Sequence, residues 1–310
     1  MTDDDERQRL ERLSHNLRRR AFIYQTIRDF FNQQGFLEVE TPVRSSAIAP
    51  EKEIIPIQSE GWFLSTSPEL FMKRLLAAGY DRIFQFSHCF RKGERGAYHN
   101  PEFSLLEWYR QGVNYEQMML DTEQIVTATA AALGTGPNLL YRGNTIDLSL
   151  PWDRITIADA FQKLAGWDPT IDPDARRFDE DTVLKVVPNL NPHRPAFLID
   201  YPAPMASLAR LKPGNPRVAE RVELFIGGLE LANAYSELIN QKEQEIRFRE
   251  EIAQIKKEQN RVAPMPEKFI KAVANLPECA GIALGMDRLV MLFCNAARID
   301  EVMPFTIDEA

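Results

Sequence analysis

Apolar residues recur at helical spacing near the start of the chain. Leu17, Ala21, Tyr24, Ile27, Phe30 and Phe31 share one face and Gly35 supplies a stop, so a long helix is predicted over residues 6–34. A short strand pattern, Phe36-Leu37-Glu38-Val39-Glu40, runs into Thr41-Pro42. Beyond a Pro/Ser loop, Trp62-Phe63-Leu64 reads as extended, and Ser67-Pro68-Glu69 opens a helix reaching residue 78, with serine before the start and proline in the first turn. Strand patterns over 82–90 and 102–110 flank a charged, glycine-bearing loop, 91–101. A helix over 115–132 and a hairpin over 139–150, centred on Arg142-Gly143-Asn144, come next. The proline-rich stretch 190–216 holds one strand, 196–201. Paired strands over 217–226 and 229–239, helices over 241–260 and 267–275, and a strand-to-helix step from 281–285 into 286–295 complete the pattern.

No repeat and no alternating βαβ series appears. Neighbouring strands with helices grouped between them favour the α+β class: an antiparallel sheet flanked by helices. One domain spanning 1–310, with its core beginning near Gln8, is the expected organisation. The 44% apolar and 26% charged content of the 310 residues fits a folded chain with ample length for a core. Thirty-seven basic against forty-five acidic residues give a net charge of −8, so nucleic acid would need a local basic patch. Cys89, Cys279 and Cys294 have no CxxC spacing and read as reduced thiols. The charged start, MTDDDERQRLER, is no signal peptide, and no apolar run is long enough to span a membrane. A cytoplasmic protein is expected.

The short nucleotide-loop, serine-elbow and zinc signatures are missing, and the four histidines lack metal-ligand spacing. What stands out is charge where a half-buried sheet should be apolar. Glu102 and Glu107 lie in one strand, Glu230 and Glu237 in another, and Arg288 follows Gly285 at an apolar helix. Buried carboxylates cost desolvation unless they meet cations. For Glu102 alone a solvated face is the simpler reading. The leucines flanking Glu230 and Glu237 argue for burial, and such paired carboxylates suit Mg²⁺ or an ammonium group. Arg91, at a strand end before Lys92, Glu94 and Arg95, suits a bidentate grip on phosphate or carboxylate, although a solvent-exposed turn is the commoner setting for a single arginine.

The order of these residues resembles the three motifs of class II aminoacyl-tRNA synthetases. The first helix with Gly35 to Pro42 resembles motif 1, which in that family forms the dimer interface. Phe90-Arg91 through His99-Asn100-Pro101-Glu102-Phe103 resembles motif 2, and Gly281 to Arg288 resembles motif 3. Ser67-Pro68-Glu69-Leu70, Lys73-Arg74-Leu75 and the segment 230–238 are similar to lysyl-tRNA synthetases. The core begins too early to leave room for an anticodon-binding barrel, so no anticodon-dependent tRNA binding is expected. A chain made only of this core resembles the elongation factor P–lysine ligases. That resemblance implies activation of (R)-β-lysine with ATP and Mg²⁺, transfer to a lysine of elongation factor P, no membrane association and a homodimer. A stand-alone ligase charging RNA and a non-catalytic regulatory paralogue are the alternatives.

Carried over by motif, Arg91 bridges the substrate carboxylate and the ATP α-phosphate, and Arg288 meets the γ-phosphate. Lys92, Gly93, Glu94 and Asn100 belong to the ATP side, Phe103 stacks on adenine, and Leu231 and Gly285 line the nucleotide. Glu230 and Glu237 hold Mg²⁺. Ser67, Pro68, Glu69, Glu107, Tyr109, Glu237 and Ala283 form the pocket for the lysine-like substrate. Two departures from the synthetase pattern matter. Ala283 replaces a glycine and narrows the amino-acid pocket, which favours β-lysine over α-lysine by about 1–3 kcal/mol. Arg91-Lys92-Gly93-Glu94 shifts the acidic position of motif 2 by one.

Overall fold

The computed structural model describes residues 3–310. A nine-stranded sheet forms its frame. From one edge its order is Leu37–Glu38, Arg82–Phe90, Glu102–Gln111, Cys279–Gly285, Leu229–Ser236, Asn215–Ile226, Ala196–Pro202 and Asp153–Thr156, with Leu211–Lys212 pairing beside Asn215–Ile226. The interior pairs are all antiparallel, as the strand patterns predict. The two edges correct that expectation. Leu37–Glu38 runs parallel to Arg82–Phe90, and Asp153–Thr156 runs parallel to Ala196–Pro202. A parallel pair needs a long crossover. One crossover carries the small sheet 44–64 and the helix Glu69–Ala77; the other carries the helices Ile157–Leu164 and Ala175–Asp181.

Side chains alternate between the faces of a strand, and residues paired in register share a face. On one face Phe84, Leu106, Trp108, Ile282, Leu284, Ala232, Ala234, Val222 and Leu224 enter the main core. The first helix, Asp3–Gln33, covers this face with Ile23, Ile27 and Phe31, four residues apart, and the Phe31 ring stacks on Phe84 at 4.5 Å. The helices Tyr115–Ala132 and Met286–Cys294 complete the layer. The first begins where the Asn114 side chain accepts from the Glu116 N–H.

A buried clasp joins three of these elements. Arg20 of the first helix donates to Asp287 Oδ1 at 2.6 Å, and Asp287 Oδ2 accepts from the Ser104 N–H at 2.8 Å. Asp287 lies in the first turn of Met286–Cys294, where a negative charge also suits the helix dipole. Among the described residues no helix is long and apolar enough to cross a membrane.

Candidate active site

The opposite face of the same strands floors a cleft of about 980 Å³. Register sets its residues in rows. Gln85, Glu107, Ala283, Asn233 and Glu223 follow one another across five strands; Ile83, Tyr109, Gly281, Tyr235 and Arg221 form the next row. Neighbouring strands lie about 4.8 Å apart, so Glu107 and Glu223 mark two ends of the floor, about 14 Å from each other.

At the Glu107 end the helix Glu69–Ala77 closes the pocket from above. Ser67 precedes it; its hydroxyl accepts from the Glu69 N–H at 3.0 Å and donates to Glu107 Oε1 at 2.6 Å. The Tyr109 hydroxyl donates to Glu107 Oε2 at 2.9 Å. One turn into the helix, Lys73 is 1% exposed, donates to Glu69 Oε1 at 2.5 Å and also contacts the Glu237 carboxylate. Ser67, Glu69, Glu107, Tyr109, Glu237 and Ala283 all line this end of the cleft. Gly281 makes it possible: a Cβ there would fall 2.1 Å from the Tyr109 ring and 2.8 Å from Glu237 Oε1. Pro68 lies buried behind the pocket, starting the helix without lining the cleft.

Burial dominates the electrostatics here. It pushes the Glu107 carboxyl up to about 7, reinforced by the charge of Glu69, while the Ser67 and Tyr109 hydrogen bonds pull the other way. Burial likewise raises Glu237, against the pull of Lys73. For Lys73, burial favours the neutral amine, but Glu237 and Glu69 outweigh it and hold the ammonium charged well above its usual range. The pocket thus presents carboxylates whose ionised forms await cations.

The other end has the chemistry of a nucleotide site. Arg91 lies over the Phe103 ring at 5.0 Å and 3.7 Å from Glu94. Arg288 donates to the Glu230 carbonyl at 2.7 Å, and its Nη2 lies 2.6 Å from His99 Nε2. Burial, then the Arg288 charge, depresses the His99 pKa, so the neutral ring accepts this hydrogen bond through Nε2. Leu231 and Gly285 line the floor between. Asn100 reaches the cleft wall, and its amide anchors the loop by donating to the Glu102 carbonyl at 2.6 Å and accepting from the Ile307 N–H at 3.0 Å. Lys92 and Gly93 are exposed at the loop and do not line the cleft; Gly93, at φ 82°, makes the turn.

Glu230 and Glu237, expected to share a metal ion, are separated. Seven residues of extended chain span roughly 23 Å, and Glu237 is committed to Lys73. Glu237 is buried as expected, but the Glu230 side chain is 47% exposed on the cleft floor. A register shift opposite Leu224 and Phe225 places Glu230 across from Phe225, hence diagonal to Glu223 on the cleft face. Partial desolvation on the cleft floor and the neighbouring Glu223 charge raise the Glu230 pKa, against the pull of Arg288. Glu223 escaped the sequence reading, although a charged Arg221-Val222-Glu223 inside an apolar strand was a usable signal. Glu102, exposed beside His88, is solvated as expected. Among the described residues no group of three or more metal-ligating side chains gathers. A Glu223–Glu230 pair fits Mg²⁺, which takes one or two carboxylates and completes its shell with phosphate and water.

A mostly antiparallel sheet with these arginines and carboxylates on one face is an arrangement of the synthetase type. The sequence matches the class II tRNA synthetases (D, K and N) over residues 7–309, and the chain belongs to that family. Within it, the chain is similar to the elongation factor P–(R)-β-lysine ligase of Pectobacterium atrosepticum, 36% identical over 95% of this chain and 96% of that one. It is 38% identical to the ligase of that name from Sodalis glossinidius, with the same coverage, and 36% identical to that of Vibrio vulnificus over 93% of this chain and 94% of the relative.

Proposed function

We propose that the protein is a ligase that joins (R)-β-lysine to a lysine of elongation factor P through an acyl-adenylate. The observation that carries this reading is the pocket of Glu69, Glu107 and Glu237, built for ammonium groups and set on the same floor as Arg91. The substrate carboxylate attacks the α-phosphorus of ATP and pyrophosphate leaves. The lysine amine of the acceptor protein then attacks the acyl carbon, releases AMP and loses a proton to form the amide. No side-chain nucleophile is required; the chain contributes alignment and charge. Arg91 meets the carboxylate and the α-phosphate, Glu94 and Asn100 wall the adenine side, and Phe103 offers its ring once Arg91 turns to the phosphate. Arg288, oriented by His99, takes the terminal phosphates. Glu223 and Glu230 would hold Mg²⁺, which when bound neutralises phosphate charge.

The Ala283 methyl lies between Glu107 and Asn233 in the central row, so it bears on where the amine nearest the carboxylate can sit. The proposal includes a homodimer through the first helix and the strand after it, where Phe22, Leu37 and Val43 are exposed. ATP–pyrophosphate exchange tests activation: faster exchange with (R)-β-lysine than with α-lysine is expected. Elongation factor P incubated with the enzyme, ATP and (R)-β-lysine should then gain the mass of one lysyl group. Exchange with neither amino acid overturns the reading.

A further inference from the structure

We infer that Lys73 is a positioning and specificity-determining residue: a fixed internal cation that sets the charge of the amine pocket to match a substrate bearing two ammonium groups. The inference rests on the ligase reading and extends it to how the pocket selects for charge.

Three carboxylates, Glu69, Glu107 and Glu237, face this end of the cleft. With Lys73 charged, their full ionisation leaves two negative charges, the complement of a diammonium side. Lys73 and Glu237 are each 1% exposed, and Glu69 is 12% exposed. An unpaired carboxylate in such surroundings protonates rather than ionises. Lys73 is held on its own helix by Glu69, four residues back, and from the sheet by Glu237. Apolar Met72 and Leu76 are buried beside it in the same helix, and its ammonium meets the two carboxylates rather than solvent. The other titratable groups facing this corner are Glu107 and Tyr109 from one strand, Tyr235 and Cys279 from two others, and Glu51 from the loop before the helix. None of these is itself a cation: Arg91 and Arg221 are the counter-charges of Glu51, Arg221 acts on Tyr235 and Arg210 on Cys279, which leaves Lys73 as the cation touching Glu69 and Glu237. Lys73, touching Glu237 and Glu69, favours their ionised forms while the pocket is empty, so an arriving dication has fewer protons to expel than it would without that ammonium.

Removing the ammonium therefore shifts the pH dependence of binding, whereas a merely structural role lowers binding equally at every pH. The test is calorimetric titration of the full chain with (R)-β-lysine and with α-lysine between pH 6 and 9.5, for the wild type, Lys73→Met and Lys73→Arg. In Lys73→Met the rise of affinity with pH should move upward by about one pH unit, a tenfold loss at pH 7 that shrinks toward pH 9. Ethylammonium, small enough to enter the vacated space, should recover part of that loss. Lys73→Arg, which keeps the charge, should hold the wild-type pH dependence even if its affinity falls. The proposal is overturned by an unshifted profile in Lys73→Met, by a pH-independent loss that ethylammonium does not relieve, or, should that variant not fold, by a shifted profile in Lys73→Arg. A wild type that binds neither amino acid overturns it as well. A wild type that binds them but catalyses no pyrophosphate exchange refutes the ligase reading while the Lys73 comparison still decides.

Discussion

Gly281 and Ala283 occupy successive cleft-facing positions of one strand, yet a single methyl has opposite meanings at the two. At Gly281 a Cβ would strike the Tyr109 ring at 2.1 Å. Gly281→Ala should displace that ring, break its hydrogen bond to Glu107 and raise the KM for the amino acid at least tenfold, at about 1–3 kcal/mol of overpacking. Steady-state exchange kinetics and a melting curve measure the two effects. At Ala283 the methyl is native and lies opposite Glu107. Ala283→Gly should lower the ratio of kcat/KM for β-lysine over α-lysine by tenfold to a hundredfold, about 1–3 kcal/mol. An unchanged ratio would mean that the methyl only packs. The titration of Glu107 adds a pH signature. Its carboxyl is raised from 4.5 to about 7 in the fold, so its contribution to stability is full below pH 4.5 and lost as pH rises through 7. A bound ammonium offsets that loss, because it favours the ionised carboxylate. Saturating lysine should therefore raise Tm more at pH 8 than at pH 6, and an equal gain at both would refute this coupling.

Elements differ in how plainly the sequence announces them. Most interior strands and the helices Tyr115–Ala132 and Gln241–Gln259 were legible within a residue or two because their periodicity is long and uninterrupted, whereas Leu229–Ser236 stops three residues short of the expected 239. Asp153–Thr156 was not, since four residues including Asp153 and Arg154 carry no alternation, and its pairing partner lies far along the chain. The site shows the same division. The residues of each motif could be named from the sequence, but the row Glu107–Ala283–Asn233–Glu223 is a property of register between strands and is written in no single segment. Nearness in sequence also misled: Glu230 and Glu237 are neighbours on paper and lie at opposite ends of an extended strand. Two expectations belong at this scale. Asp287→Ala leaves Arg20 without its carboxylate, with only the Tyr24 and Ser104 hydroxyls as acceptors, and the Ser104 N–H without an acceptor, and should cost about 3 kcal/mol in denaturant unfolding. The first helix should pair with that of a second copy, so sedimentation at micromolar concentration should give a dimer; a monomer alone would remove motif 1 from the interface.

In the whole molecule the first helix and the last residues meet beside the loop 91–101. Arg9 of the first helix donates to the Pro304 carbonyl at 2.6 Å, the Ile307 N–H donates to Asn100, and the Ile299 N–H donates to the Ala97 carbonyl at 2.8 Å. The sheet is closed from its middle as well. Cys279–Gly285 follows every other strand in the chain, yet it lies between Glu102–Gln111 and Leu229–Ser236. Synthesis from the N-terminus must therefore produce two half-sheets before the strand that joins them emerges. Until then each half presents an unpaired edge, the kind of surface that invites pairing with other chains. Glu107 is on one half and Glu237 and Glu223 on the other, so neither half carries the whole floor of the cleft by itself. The two groups of carboxylates therefore share one floor only once Cys279–Gly285 is in place between the halves.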